Sequence, residues 1–256
     1  MKKRIVLKFG TGILTKPGTV ILDGSQFVAL STAVAALEKA GHECILVSSG
    51  AVAAGLPAFG LTSRPQEMST LQACAAVGQS RLMHLYSSLF QLQDLNVAQL
   101  LLTHEDLQTE NRASRVKETL KRLIEFKNVV PIVNENDSVA VEELRFGDND
   151  ALSSRLAILA EADLLILLTS VQGLHDPRNP DPNSIVPVVR DVEDVKSFAR
   201  NDKGELSVGG MASKLDSVER AVKAGIETII ASGRHPQQIS ELVAGGGICT
   251  RFPVGK

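Results

Sequence analysis

Short stretches of almost unbroken Ile, Leu and Val recur along this chain, and they constrain its fold more than any other feature. RIVLKF (4–9), ECILVS (43–48), VAQLLLT (97–103), VVPIV (129–133), LLILLT (164–169) and ETIIA (227–231) show little of the apolar–polar alternation of a strand with one wet face. Strands covered on both faces read this way, which is the signature of a parallel sheet. None of them approaches the ~20 apolar residues that a membrane helix needs. Amphipathic stretches between them predict helices over 25–40, 67–90, 111–126, 151–160 and 211–224. Asp23 and Ser25 can cap the first, which stops at Gly41. In the last, Leu215, Val218, Ala221 and Val222 form the apolar stripe. Strands alternating with helices predict an α/β fold, a three-layer sandwich around a mainly parallel central sheet. Residues 138–147 break the rhythm and predict a hairpin. HDPRNPDPNS (175–184) predicts a rigid exposed loop rather than a domain boundary.

Composition excludes several classes. A chain of 256 residues can form one sizeable α/β domain or two small ones. Its net charge of −2 lacks the basic footprint of a nucleic-acid binder. Cys44, Cys74 and Cys249 are far apart and form no CxxC pair, so they read as reduced residues of an intracellular, cytoplasmic protein. The histidines are scattered without zinc spacing, and no metal ligand set is expected. MKKRIVLKFG lacks the long apolar run of a secretory signal.

Ligands of open parallel sheets gather beyond the carboxyl ends of the strands. That rule brings KFGTG, SSGAVAAG, NENDS and LLTSVQG to one edge. Lys8 stands inside the first strand between Leu7 and Phe9, where a lysine calls for an anionic partner; a plainer reading is a lysine snorkelling at a sheet edge. Gly10 and Gly12 follow, and glycines let backbone N–H groups approach phosphates. Neither GxGxxG nor GxxxxGK[ST] is present. Gly209 and Gly210 precede the last helix, and Lys214 lies in its first turn. The helix dipole disfavours a cation there unless a phosphate arrives to be held by the N–H groups and the ammonium together. The plainer reading is an exposed lysine. Ser48, Ser49 and the Gly50 N–H suit an anion such as an α-carboxylate, or form an ordinary capped turn. Asp148, Asn149 and Asp150 suit orienting the lysines or a magnesium shell. Together these groups are the equipment of phosphoryl transfer.

Eight ordered blocks, VLKFGTGILT, VSSGAVAAGL, QACAAVGQSRLM, QLLLT, VVPIVNENDSVA, FGDNDALS, LLTSVQGL and GGMASKL, span nearly the whole chain. In them the sequence resembles the amino acid kinase family, most closely the branch that phosphorylates glutamate at the start of proline biosynthesis. The resemblance implies that Lys8 and Lys214 neutralise the transferring phosphoryl group and that Asp148 holds those lysines. It places Ser49, Gly50, Asn134, Asp137 and Asn149 on the amino acid. Lys8, Gly10, Thr169, Ser170 and the run Val208, Gly209, Gly210, Met211, Ala212, Ser213, Lys214 fall on the nucleotide. ATP with Mg2+ is the implied cofactor pair, glutamate the acceptor, proline a feedback inhibitor and a homo-oligomer the assembly. One kinase domain over 1–256 is implied, with 1–160 mainly on the amino-acid side and 161–256 mainly on the nucleotide side. The small C-terminal PUA domain of many relatives is not expected. Thr169-Ser170 stands where relatives typically read Thr-Asp, and His175 replaces a frequent tyrosine, so base and ribose contacts depart from the family pattern.

Glutamate's γ-carboxylate is ionised near neutrality, its ordinary pKa being ~4.3, so its phosphorylation needs no general base. Other readings stay open on the sequence. A uridylate kinase would need cations for its acceptor, which SSGAVAAG and NENDS lack. An N-acetylglutamate kinase would offer no ammonium to Asp137. An aspartate kinase usually adds regulatory domains. A non-catalytic amino-acid sensor would have no use for both lysines and GDND.

Overall fold

The computed structural model describes residues 1–140, 149–181, 184–201 and 210–255. Its centre is a seven-stranded sheet of order β3-β4-β2-β1-β5-β6-β7. The strands are β1 (Arg4–Phe9), β2 (Glu43–Val47), β3 (Asn96–Leu102), β4 (Val129–Glu135), β5 (Leu164–Thr169), β6 (Glu227–Ser232) and β7 (Cys249–Phe252). All neighbours pair in parallel except β7, which runs antiparallel to β6. The α-helices among the described residues are α1 (Thr11–Leu14), α2 (Gly24–Lys39), α3 (Ala51–Gly55), α4 (Met68–Gln91), α5 (His104–Gln108), α6 (Glu110–Glu125), α7 (Asn149–Leu159), α8 (Met211–Lys223) and α9 (Ile239–Ala244).

The period of two along each strand divides the core into two layers. Ile5, Leu7 and Phe9 pack against Phe27, Leu30 and Val34 of α2 and against Leu82, Tyr86 and Phe90 of α4. Val6, Ile45, Val47, Leu165 and Leu167 point the other way, into Leu152 and Leu156 of α7 and Leu215 and Val218 of α8. Lys8 shares the parity of Val6, so alternation aims it at the α7 and α8 layer. That choice of face brings the site together.

The sequence places β1 and β5 at their observed bounds, and the other predicted strands and helices within two residues. Asp23 caps α2 as expected, its carboxylate accepting from the Ser25 and Gln26 N–H groups. The predicted hairpin, 138–147, lies outside the described residues from 141 onward. The loop from residue 175 is largely exposed where described and is pinned by a bridge between His175 and Ile185.

Candidate active site

The carboxyl ends of β1, β2, β4, β5 and β6 open onto one edge. Lys8 leaves β1 there and is 5% exposed, and Lys214, in the first turn of α8, is 7% exposed. Both reach one carboxylate, and it belongs to Asp150: Lys8 Nζ lies 2.6 Å from Oδ1 and Lys214 Nζ 3.0 Å from Oδ2. Asp150 is fully buried in the first turn of α7. The snorkelling reading of Lys8 and the exposed reading of Lys214 therefore fall away. The sequence reading gave the lysine-holding role to Asp148, which lies outside the described residues. The carboxylate found between the lysines is two positions further on. Helical geometry supplies the reason, because Asp150, Ser153, Ser154 and Ala157 follow one another at i, i+3, i+4 and i+7, and all four are buried.

A network of amides adjoins this bridge. Asn149 Nδ2 faces Ser48 O at 2.5 Å, Ser49 Oγ at 3.0 Å and Asn134 Oδ1 at 2.9 Å. Asn134 Nδ2 in turn donates to Gln79 Oε1 at 2.8 Å, and the Glu135 N–H donates to Asn134 Oδ1 at 2.9 Å. Ser48 Oγ and the Tyr86 hydroxyl meet at 3.0 Å, which gives a buried tyrosine the partner it requires. Burial pushes the Tyr86 hydroxyl well up from its ordinary value. The sequence reading gave Gln79 and Tyr86 no role in the site. Their signal was available, since Gln79 sits among Ala75, Gly78 and Leu82 on the buried stripe of α4.

Gly50 adopts φ 95°, a left-handed conformation that suits glycine, and caps α3 without a side-chain bond. The α3 and α4 backbones touch. A Cβ on Gly78 would stand 1.7 Å from Ala51 O, and one on Gly55 would stand 1.8 Å from Cys74 O. Only glycine fits at either position, and the contact fixes the Ser49–Gly50 turn against α4.

Asp137 lies just past β4 and is partly buried. Burial first, then the Glu135 carboxylate, push its carboxyl up to about 6, while the Arg64 guanidinium pulls the other way. Sequence reasoning placed Glu135 in the same NENDS cluster but missed Arg64. Glu135 is buried with its Oε2 3.9 Å from His104 Nδ1.

On the other flank, Gly210 caps α8 with no side-chain hydrogen bond, ahead of Met211, Ala212, Ser213 and Lys214. Among the described residues no side chain caps the first N–H groups of α8, as an anion site requires. Val208 and Gly209 lie outside the described residues. Thr169 ends β5, and Ser170 is exposed beside it. Gly10 caps α1, and a Cβ there would lie 3.5 Å from Lys8 Nζ. Among the described residues, no three of His, Cys, Asp or Glu cluster closely enough to hold a metal ion. Also among them, no helix is long and apolar enough to cross a membrane.

Comparison with known proteins places the chain in a family. Glutamate 5-kinase of Shewanella amazonensis is 44% identical over 253 residues, 98% of this chain and 66% of the relative. That of Herpetosiphon aurantiacus is 45% identical over 97% of this chain and 68% of its own length. The chain thus spans about two thirds of the curated relatives it matches. Among solved structures, Giardia carbamate kinase superposes with a TM-score of 0.64 at 17% identity, covering 99% of both chains; at that identity the likeness concerns the fold. The amino acid kinase family model matches residues 3–232. This chain belongs to the amino acid kinase family.

Proposed function

We propose that this chain transfers the γ-phosphoryl group of ATP to the γ-carboxylate of L-glutamate, giving L-glutamyl 5-phosphate and ADP, the opening step of proline biosynthesis. The observation that carries the reading is the buried Lys8–Asp150–Lys214 bridge directly beside the Ser49–Asn149–Asn134 network. The identity to glutamate 5-kinases supports the choice of acceptor.

A γ-carboxylate oxygen attacks the γ-phosphorus, a carboxyl–phosphate bond forms, and the bond to the bridging oxygen breaks with its electron pair leaving on ADP. No proton has to move, because the acceptor is already ionised. The obstacle is an anionic acceptor approaching a polyanion. Lys8 and Lys214 offset that repulsion, and Asp150 fixes where their ammonium groups stand before the reaction begins. Asp150 takes over the organising role that the sequence reading gave to Asp148. Asp137 meets the α-ammonium of the substrate, while Ser49 and the Gly50 N–H meet its α-carboxylate. Asn134 and Asn149 hold that pocket in shape. Gly10, the start of α8 from Gly210 to Lys214, and Thr169 and Ser170 serve the nucleotide. Residues 1–160 thus carry mainly the acceptor and 161–256 mainly the nucleotide.

Magnesium binds through substrate phosphates, water and one or two carboxylates rather than an all-protein cage. Asp150 keeps both of its oxygens on the lysines, so the ion would be held through the ATP phosphates and water beside the bridge and would supply further charge neutralisation. Feedback by proline, a homo-oligomeric assembly and a cytoplasmic location belong to the same proposal.

The test is ADP release by the purified chain with glutamate, with no acceptor, and with aspartate, N-acetylglutamate or carbamate in its place. Glutamate alone should drive rapid release. Equal release without an acceptor, or preference for another, would contradict the assignment, and no release at all would favour a sensor.

A further inference from the structure

A clamp joins the turn after β6 to the glycine turn after β1. Gly233 follows β6, and its N–H donates to Thr169 O at 2.8 Å while its carbonyl accepts from Gln26 Nε2 of α2. It lies so close to α1 that a Cβ there would stand 2.4 Å from Ile13 Cδ1 and 3.2 Å from Leu168 Cβ. Arg234 comes next. Its N–H donates to Ser232 Oγ at 3.2 Å, and its guanidinium reaches across to α1. There Nη1 donates to Thr15 O at 3.0 Å and Nη2 donates to Gly12 O.

Those carbonyls belong to the C-cap and to the second residue of α1, a helix of four residues. Isolated helices so short do not hold themselves, so the shape of Gly10–Thr15 is imposed by its surroundings. A guanidinium fork can bond two acceptors at once. The same turn opens at Gly10 beside Lys8 Nζ. Arg234 therefore ties the end of β6, in the second half of the chain, to the turn that adjoins the buried lysine of the first.

We propose that Arg234 is a positioning residue for the nucleotide, holding the Gly10–Gly12 turn in the shape that receives the phosphates. This rests on the nucleotide side of the function proposed above. It does not touch the acceptor. Its removal should therefore split the two substrates, which a general loss of stability would not do.

The experiment compares the parent, Arg234→Ala and Arg234→Lys by calorimetric titration with AMP-PNP and, separately, with glutamate, alongside thermal melting. Arg234→Ala should weaken AMP-PNP about tenfold, since it removes two charge-assisted hydrogen bonds from a loop that must stay in register. Glutamate affinity should be unchanged and melting lowered by no more than about 4 °C. Arg234→Lys keeps the charge without the fork and should fall between. In steady state, KM for ATP should rise while KM for glutamate stays put. Unchanged AMP-PNP affinity in Arg234→Ala would overturn the proposal, as would equal loss of both affinities. Should Arg234→Ala fail to fold, the same split is read on Arg234→Lys. A parent that binds no AMP-PNP would instead sink the kinase reading itself, so the two failures are distinguishable.

Discussion

Replacing Asp150 by Asn keeps the size of the side chain and removes the charge that two buried ammonium groups share. Unit charges about 4 Å apart interact by roughly 4 kcal/mol at an effective dielectric near 20. The two contacts, at 2.6 and 3.0 Å, do not simply add, because they share one carboxylate and one desolvation cost. Removing one partner of a buried pair costs about 3–5 kcal/mol, and a loss of that size is expected in a denaturant melt. Turnover should suffer further, because the lysines lose the group that sets their positions; a fall in kcat on the order of 10²–10³ is expected. Nucleotide affinity should not weaken, since a negative charge has been taken from beside a polyanion. That separation of binding from turnover is the diagnostic. It is read by titration with AMP-PNP and by steady-state assay on the same preparation. A kcat within about threefold of the parent would refute the reasoning, and so would a nucleotide affinity that falls in step with kcat. Asp148→Asn, measured alongside, should show the smaller loss; the reverse order would return the organising role to the aspartate first read from the sequence.

Lys214→Ala should lower turnover on the order of 10²–10³ while leaving glutamate binding intact by calorimetry, because one preorganised charge on the phosphate side is lost. Asp137→Asn should weaken glutamate by about 2–5 kcal/mol, spare nucleotide, and narrow the preference for glutamate over glutarate; weakening of nucleotide alone would refute the placement. With its carboxyl pushed up to about 6 by burial, then Glu135, against Arg64, Asp137 loses its charge as pH falls. Glutamate affinity should be level above pH 6 and drop about tenfold per unit below it. The raised group binds its proton more tightly folded than unfolded, so its effect on stability has the opposite sense: stability is lost as pH rises from the ordinary carboxylate range through about 6. Asp137→Asn should therefore melt higher than the parent above pH 6, by on the order of 1–3 kcal/mol, and match it below pH 4. Gly78→Ala should cost about 1–3 kcal/mol or more and impair glutamate binding before nucleotide binding, since its Cβ would collide with Ala51 O at 1.7 Å; a parent-like melt would show that α3 and α4 can part freely.

The parallel sheet was legible because most of its strands are apolar and buried on both faces, β1 and β5 most cleanly, whereas β3, at the edge, is half-exposed. β7 was not legible. It is four residues long and interrupted by Arg251, which gives periodicity nothing to work with. The same shortness hid α1, α5 and α9, of which α5 carries a full capping box at Thr103 and Asp106. In the site, Lys8 and Lys214 declared themselves because a lysine in a buried strand and a cation at a helix start both demand an anion. Which acid of GDND answered that demand depends on where α7 begins. A helix begun at 151 left the aspartates in a loop, whereas the observed start at Asn149 puts Asp150 on the buried stripe. Arg64 and Gln79 are far in sequence from the strand ends they serve, and only the packing of α3 and α4 brings that segment to the edge.

The central claim is transfer to the γ-carboxylate of glutamate, and trapping the product tests it most directly. Purified chain, ATP, Mg2+ and glutamate are incubated with hydroxylamine, which converts an acyl phosphate to a hydroxamate, and the product is identified by mass and by comparison with the α- and γ-isomers. The account predicts γ-glutamyl hydroxamate in step with ADP, and none from Asp150→Asn within the same time. ADP released without hydroxamate, the α-isomer, or a hydroxamate formed as readily from aspartate would contradict it.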